Sequence, residues 1–317
     1  MSEPFTSEMD ETSPPKVTDA SAAGAGAGAA GAGAGADEMK QERPRVREGI
    51  QSILDGTTTY VNLCWSYIDD KGATAIFCAL FNNHTVQELN LFNNHITPVG
   101  LSALTDVLPT NSTLRKLDLR FNGFGPLGAS VVAGALEKNT TLEELNLCRN
   151  PLGDKGVISF ADTLMINRTL TVMSFQWTRI SAFGARALAD SLLTNSALEE
   201  LDLNFNDLGD EGAVAFAGVL VTNTTLRKLE LDNNRIDDKG AIAFVDALVT
   251  NFTLITLFVG FNRISRQLMN VLYDYIQNNR NMDKRWQRVK RFVTWRQLRS
   301  KEVWRYQFGL DEELWEG

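Results

Sequence analysis

Side chains that usually build a reaction centre are scarce in this sequence. It has two histidines, His84 and His95, and three cysteines, Cys64, Cys78 and Cys148. The cysteines show no metal-type spacing, and two imidazoles leave a zinc site or a His-based triad almost nothing to draw on. No phosphate loop, nucleophile elbow or metal motif occurs. The sequence therefore predicts no catalytic residue, metal or cofactor, and points to recognition instead. The material for that is acids alternating with apolar residues, a recurring set of aromatics, and a basic stretch rich in tryptophan near the end.

Charge is unevenly spread. The net value is −8, with about −12 over 1–279, about +8 over 280–305 and about −4 over 306–317. An acidic body disfavours nucleic acid, whose affinity comes mainly from phosphate neutralisation. The longest uncharged stretch falls far short of the roughly 20 apolar residues of a membrane span. The N-terminus, Met1-Ser2-Glu3-Pro4, carries acids rather than a basic leader, and the Ala/Gly run at 21–36 is only weakly hydrophobic. A soluble cytoplasmic protein is the expectation.

The elements that must position these residues follow from a repeat of 28 residues. Leu114, Leu117 and Leu119 recur without insertion. The middle anchor falls at Val61, Leu89, Leu117, Leu145, Met173, Leu201, Leu229 and Leu257. Leu-x-Leu alternation predicts a short strand with one buried face. A turn follows, with Asn at 94, 122, 150, 206, 234 and 262, and Ser66 or Thr178 in its place elsewhere. Next comes a helix with apolar residues 3, 4 and 7 apart, such as Ile76, Phe77 and Leu80. It ends near an Asn at 83, 111, 139, 167, 195, 223 or 251, a residue that tolerates a left-handed helix end. One such unit cannot bury its own face, but stacked units can.

This pattern resembles the ribonuclease-inhibitor type of leucine-rich repeat, seen also in innate-immune receptors, the GTPase-activating protein of Ran, and cytoskeletal and ciliary proteins. The resemblance covers about 57–279. It implies an α/β fold, a curved right-handed solenoid with a concave parallel sheet and convex helices. It also implies a turn Asn bonded to neighbouring backbone, and a cytoskeletal or ciliary address as the alternative to the cytosol. Four segments are expected: a disordered Ala/Gly/acidic tail over 1–44, a capping helix over 45–56, the solenoid over 57–279 and a basic Trp-rich helical tail over 280–317.

Most such solenoids bind a protein partner on the concave face, and a non-enzymatic, monomeric scaffold or adaptor is the function expected here. The outward strand positions carry Glu88, Asp118, Glu144, Glu200, Asp202 and Glu230, with Lys116, Arg120 and Lys228 among them. They read either as a solvated face or as a mildly acidic groove for a basic ligand. A second row precedes the turn Asn: Trp65, Asn93, Phe121, Arg149, Trp177, Phe205, Asn233 and Phe261. Packing into the turn is expected for Phe121, Phe205 and Phe261, and partner contact for Trp65 and Trp177. The fifth repeat breaks the pattern at Met173, Phe175 and Thr178. Its uncharged face of Val172, Ser174, Gln176 and Trp177 makes it the expected centre of binding.

The alternative function is GTPase activation of the Ran type, with Arg235 or Arg263 as the turn arginine. The recurring Asn-x-Thr/Ser triplets match glycosylation acceptors but read better as structural. Cys64 and Cys148 share a slot three repeats apart, roughly 14 Å by strand spacing, so all three thiols should be free. In the tail, Trp286, Arg288, Lys290, Arg291 and Trp295 either cap the last repeat or recruit a calmodulin-like acidic protein or an anionic membrane surface.

Overall fold

The computed structural model describes residues 44–280. The expectations for the 1–43 segment and for Trp286, Arg288, Lys290, Arg291 and Trp295 lie outside the described residues. Helix α1 (Pro44–Leu54) comes first, and then strands and helices alternate. The strands are β1 (Tyr60–Asn62), β2 (Glu88–Asn90), β3 (Lys116–Asp118), β4 (Glu144–Asn146), β5 (Val172–Ser174), β6 (Glu200–Asp202), β7 (Lys228–Glu230) and β8 (Thr256–Phe258). They form one parallel sheet in sequence order, each residue pairing with the one 28 positions later, as Leu89 does with Leu117. Each strand is centred on its predicted anchor, and Val61, Leu89, Leu117, Leu145, Met173, Leu201 and Leu229 are buried.

The helices between them are α2 (Asp70–Leu80), the short pair α3 (Pro98–Leu101) and α4 (Leu104–Val107), α5 (Gly125–Leu136), α6 (Gly153–Leu164), α7 (Ala182–Leu192), α8 (Gly209–Leu220), α9 (Asp238–Leu248) and α10 (Arg266–Arg280). One helix is broken in two at Ser102 and Ala103, where Ser102 Oγ donates to the Val99 carbonyl and Thr105 Oγ1 to that of Ser102. Hydroxyl groups that capture nearby carbonyls compete with the helical ladder. The core runs through every repeat, filled by Phe77, Phe160, Phe175, Phe216 and Phe244.

The helix-end asparagines depart from expectation. None has a positive φ, and the adjoining helix ends are right-handed. Instead each side chain is buried and stitches two repeats. Asn167 Nδ2 donates to Leu136 O at 2.9 Å and Asn139 O at 3.1 Å, while its Oδ1 accepts from Thr169 N and Leu170 N. The orphan carbonyls of one helix end are thus satisfied by the next repeat rather than by a left-handed cap. Asn83 makes the same bond to Ile53 O of α1 at 2.6 Å, so α1 occupies the place of a repeat helix. Six of these asparagines, Asn83, Asn111, Asn139, Asn167, Asn223 and Asn251, stand in the Asn-x-Thr/Ser triplets, and their burial agrees with the structural reading of those triplets.

The turn behind each strand comes in two kinds, decided by the third residue after the Asn slot. Where it is Gly125, Gly153 or Gly209, φ is near +60° and the helix starts there. Where it is Asp69, Thr97 or Ser181, an extended residue caps the helix, as Asp69 does by accepting from Gly72 N at 3.0 Å.

Candidate partner-binding surface

At the exit of every strand one non-glycine residue is left-handed. Trp65, Asn93, Phe121, Arg149, Trp177, Phe205, Asn233 and Phe261 have φ between 53° and 60°. An L-residue pays about 1 kcal/mol for that conformation. The compensation lies in the turn. The N–H of each of the first seven still donates to the next repeat, as Trp65 N does to Phe92 O at 2.9 Å. The Asn that follows is largely buried and bonded on both sides. Asn94 Nδ2 donates to Leu63 O and Leu91 O, while its Oδ1 accepts from Ser66 N and Ile68 N at 3.1 and 2.9 Å.

The row so formed is exposed, against the expectation that Phe121, Phe205 and Phe261 tuck into their turns. Phe261 is 87% exposed and Phe121 40%; Phe205 is half-buried. A left-handed residue directly after the strand leaves its ring outside the Leu-lined core, so phenylalanines here meet one another instead. Trp65 packs edge-on to Phe92, and Phe92 to Phe121, with centroids 5.8 and 5.2 Å apart. Trp177 and Phe205 stack at 4.7 Å with 12° between planes. Arginines join them: Arg120 lies over Phe92 at 4.9 Å, and Arg149 over both Phe121 and Trp177 at 5.2 and 4.3 Å. Sequence reasoning noted Arg149 in the aromatic slot but missed that guanidinium groups bridge the rings. The signal was there, since Arg and aromatic residues share one slot of adjacent repeats.

On the sheet face, Glu88, Asp118, Glu144, Val172, Glu200, Asp202 and Glu230 are all half-buried and side by side. The expected acidic groove is braced by its own bases. Lys116 reaches Glu144 at 3.0 Å, Arg120 reaches Asp118 at 2.6 Å, and Lys228 reaches Glu230 at 2.5 Å and Glu200 at 3.6 Å. Hydrogen bonds to Glu144 and Glu230 raise the ammonium pKa values of Lys116 and Lys228. The uncharged fifth repeat is likewise not bare. Ser174 is buried, its Oγ 2.9 Å from Cys148 Sγ and donating to Asp202 Oδ2 at 2.7 Å. Burial pushes both the Cys148 thiol and the Asp202 carboxyl up. Of that repeat's face, Trp177 is the exposed member; Val172 and Gln176 are half-buried.

Two hollows lie on this side: one over the sheet between Glu88, Lys116, Asp118 and Glu144, of about 230 Å³, and one beside Trp177 and Phe205, of about 620 Å³. Among the described residues no group of three metal-ligating side chains forms, and no helix is long and apolar enough to cross a membrane.

The family comparison agrees with the geometry. The family described as "Leucine Rich repeat" matches residues 82–104, 110–133, 138–161, 194–217 and 222–245. The units of this chain are leucine-rich repeats, stacked as an α/β solenoid. The match passes over the repeat of β5, the one broken at Met173, Phe175 and Thr178. No curated protein matches the sequence. Among solved structures, the leiomodin-1 actin-binding site 2 is 25% identical over 52% of this chain and 94% of its own, with a TM-score of 0.44. The tropomodulin C-terminal domain of Caenorhabditis elegans is 18% identical over 52% and 98%, also at 0.44.

Proposed function

We propose that this protein is a non-enzymatic scaffold that binds a protein partner through its sheet face and the row of aromatic and arginine residues along the strand exits. The observation that carries the reading is the exposed row itself. Trp65, Phe121 and Trp177 sit in costly left-handed backbone and stay in contact with solvent. Large aromatics and arginine are the favoured anchors of protein interfaces, and they are ordered here before any partner arrives. Glu88, Asp118, Glu144, Glu200, Asp202 and Glu230 supply the polar neighbourhood, with Val172 an apolar gap among them; Asp118, Glu144, Glu200 and Glu230 are held by ion pairs to Arg120, Lys116 and Lys228. The 28-residue register supports the ribonuclease-inhibitor type of repeat.

The Ran-type activator reading gains nothing from the site. Arg235 is paired with Asp207 of the preceding repeat at 2.7 Å, and neither it nor Arg263 lines either hollow of the surface. Affinity capture with the full chain and with a Trp65→Ala/Trp177→Ala variant tests the proposal. The variant, folded by circular dichroism, is expected to lose the partners that the parent retains. Recovery of the same partners at the same yield would remove the aromatic row from the account. Phosphate release by small GTPases is expected to be unchanged on adding the protein.

A further inference from the structure

Arginines near the strand ends differ in whether an acid holds them. Arg115, Arg120 and Arg235 have carboxylate partners in Glu143, Asp118 and Asp207. Arg149 and Arg179 have no acid within ion-pair distance among the described residues, and both are exposed. They border the hollow of about 620 Å³ with Pro151, Trp177 and Phe205. The two acids close by are already used. Asp207 pairs with Arg235, and Asp154 accepts from Ser181 N, Ser181 Oγ and Gly184 N at 2.8, 2.6 and 3.1 Å.

We propose that this cleft seats an acidic peptide of a partner protein, with Arg149 and Arg179 taking its carboxylates and the Trp177–Phe205 stack taking an adjacent aromatic side chain. The proposal rests on the protein-binding reading above and names the partner's chemistry. A guanidinium lying on an indole face is pre-oriented, and its N–H edge remains free to fork onto a carboxylate. Arg149, 4.3 Å above Trp177, has that arrangement. Trp177 and Phe205 lie nearly parallel and form a flat apolar floor. Stacked aromatics with arginine also suit a single nucleic-acid strand. A strand would bring a phosphate at every nucleotide to a surface that offers two free arginines beside Glu200, Asp202 and Glu230, whereas a short peptide need bring only the one or two carboxylates those arginines match, and the peptide is favoured.

Fluorescence anisotropy of the full chain tests this. The probes are a labelled glutamate–tyrosine peptide, its lysine-for-glutamate counterpart and a thymidine oligonucleotide. The glutamate peptide is expected to bind saturably and the lysine peptide not at all. Arg149→Ala with Arg179→Ala, or Trp177→Ala alone, should weaken binding at least about tenfold, and Lys138→Ala, an exposed base outside the cleft lining, should leave it unchanged. No saturable binding, binding that survives the arginine double variant, or tighter binding of the oligonucleotide overturns the proposal. If removing 306–317 from the chain strengthens peptide binding, the occupant is the chain's own acidic end and the assignment to a partner falls. Failure here with partner capture intact would sink the cleft and leave the scaffold reading standing.

Discussion

Thr178 and Pro151 match by what each lacks. In other repeats the turn Asn offers its Oδ1 to backbone N–H groups one repeat back, as Asn150 does to Asn122 N and Gly123 N at 2.9 and 2.7 Å. Pro151 stands where Gly123 stands and has no N–H to give. Thr178, one repeat on, has no amide oxygen to be left empty, and Gly153 N donates to its main-chain oxygen instead at 2.9 Å. The next glycine turn lacks this adjustment. Gly209 N donates to Asn234 O at 2.9 Å, Asp207 N is given to Ile180 O at 2.8 Å, and the buried Asn234 Oδ1 has no hydrogen-bond partner.

It follows that Asn234→Thr should be tolerated, with urea-unfolding free energy within about 1 kcal/mol of the parent, since the two bonds lost, to Leu203 O and Asp232 O, leave acceptors that keep other donors, Asp232 O that of Phe205 N, and one orphan is removed. Leu203 O, which loses the Asn234 amide, keeps that of Asn206. Asn206→Thr should instead cost about 3 kcal/mol, because Thr178 N and Ile180 N both depend on its Oδ1. Equal losses at the two positions would refute the account.

Much of the solenoid was legible because periodicity reports burial directly: every Leu-x-Leu anchor marks a strand, and the 3-4-7 spacing marks each helix face. The two turn kinds were also written in the sequence, as Gly against Asp, Thr or Ser three residues after the Asn slot. That signal is local and was outweighed by the uniform Leu pattern. The helix-end Asn was misjudged because its partners are 28 and 31 positions away, and single-site propensity carries no record of stacking. The site was half legible. Side-chain type marked the aromatic row, but exposure of Phe121 and Phe261 depends on a backbone angle that no composition reveals.

The stitching amides should be among the costliest residues to truncate. Asn167→Ala removes the partners of Asn139 O, Thr169 N and Leu170 N together and leaves Leu136 O only the bond from Asn139 N. Each buried group left unpaired costs about 1–3 kcal/mol, so a loss of at least about 3 kcal/mol is expected. The same burial predicts that peptide mapping of protein from a glycosylating host finds Asn167 unmodified. A glycan there in folded protein would contradict the structure.

Thiol reactivity should rank the cysteines. Cys78 is exposed, Cys64 half-buried and Cys148 buried against Ser174, with burial holding its thiol above the usual pKa. Because the thiolate is the reactive form, native protein should label at Cys78 first, Cys64 more slowly and Cys148 only on unfolding. Three thiols should titrate in denaturant. Rapid labelling of Cys148 in folded protein would show that the sheet face opens there.

A pH signature should come from Asp202. Its Oδ2 accepts from Ser174 Oγ and its Oδ1 from Asn204 N at 2.9 Å, yet burial still raises its pKa above the ordinary 3.8. Glu230 pushes the same way, and Lys228 opposes. An acid whose folded pKa is raised holds its proton more tightly when folded. Its contribution to stability is then full below the unfolded value and is lost as pH rises through the folded one. Asp202→Asn removes that loss while keeping an acceptor for Asn204 N, and its amide can donate to Ser174 Oγ, which remains free to donate to Cys148 Sγ. The melting temperature of the variant minus that of the parent should therefore climb with pH from just above 3.8 and level off beyond the raised value. Asp232, raised mainly by burial as well, is common to both proteins and cancels in the difference. A difference that is flat with pH, or that falls, would mean Asp202 is ionised in the fold at no cost and that Ser174 and Asn204 fully replace its water.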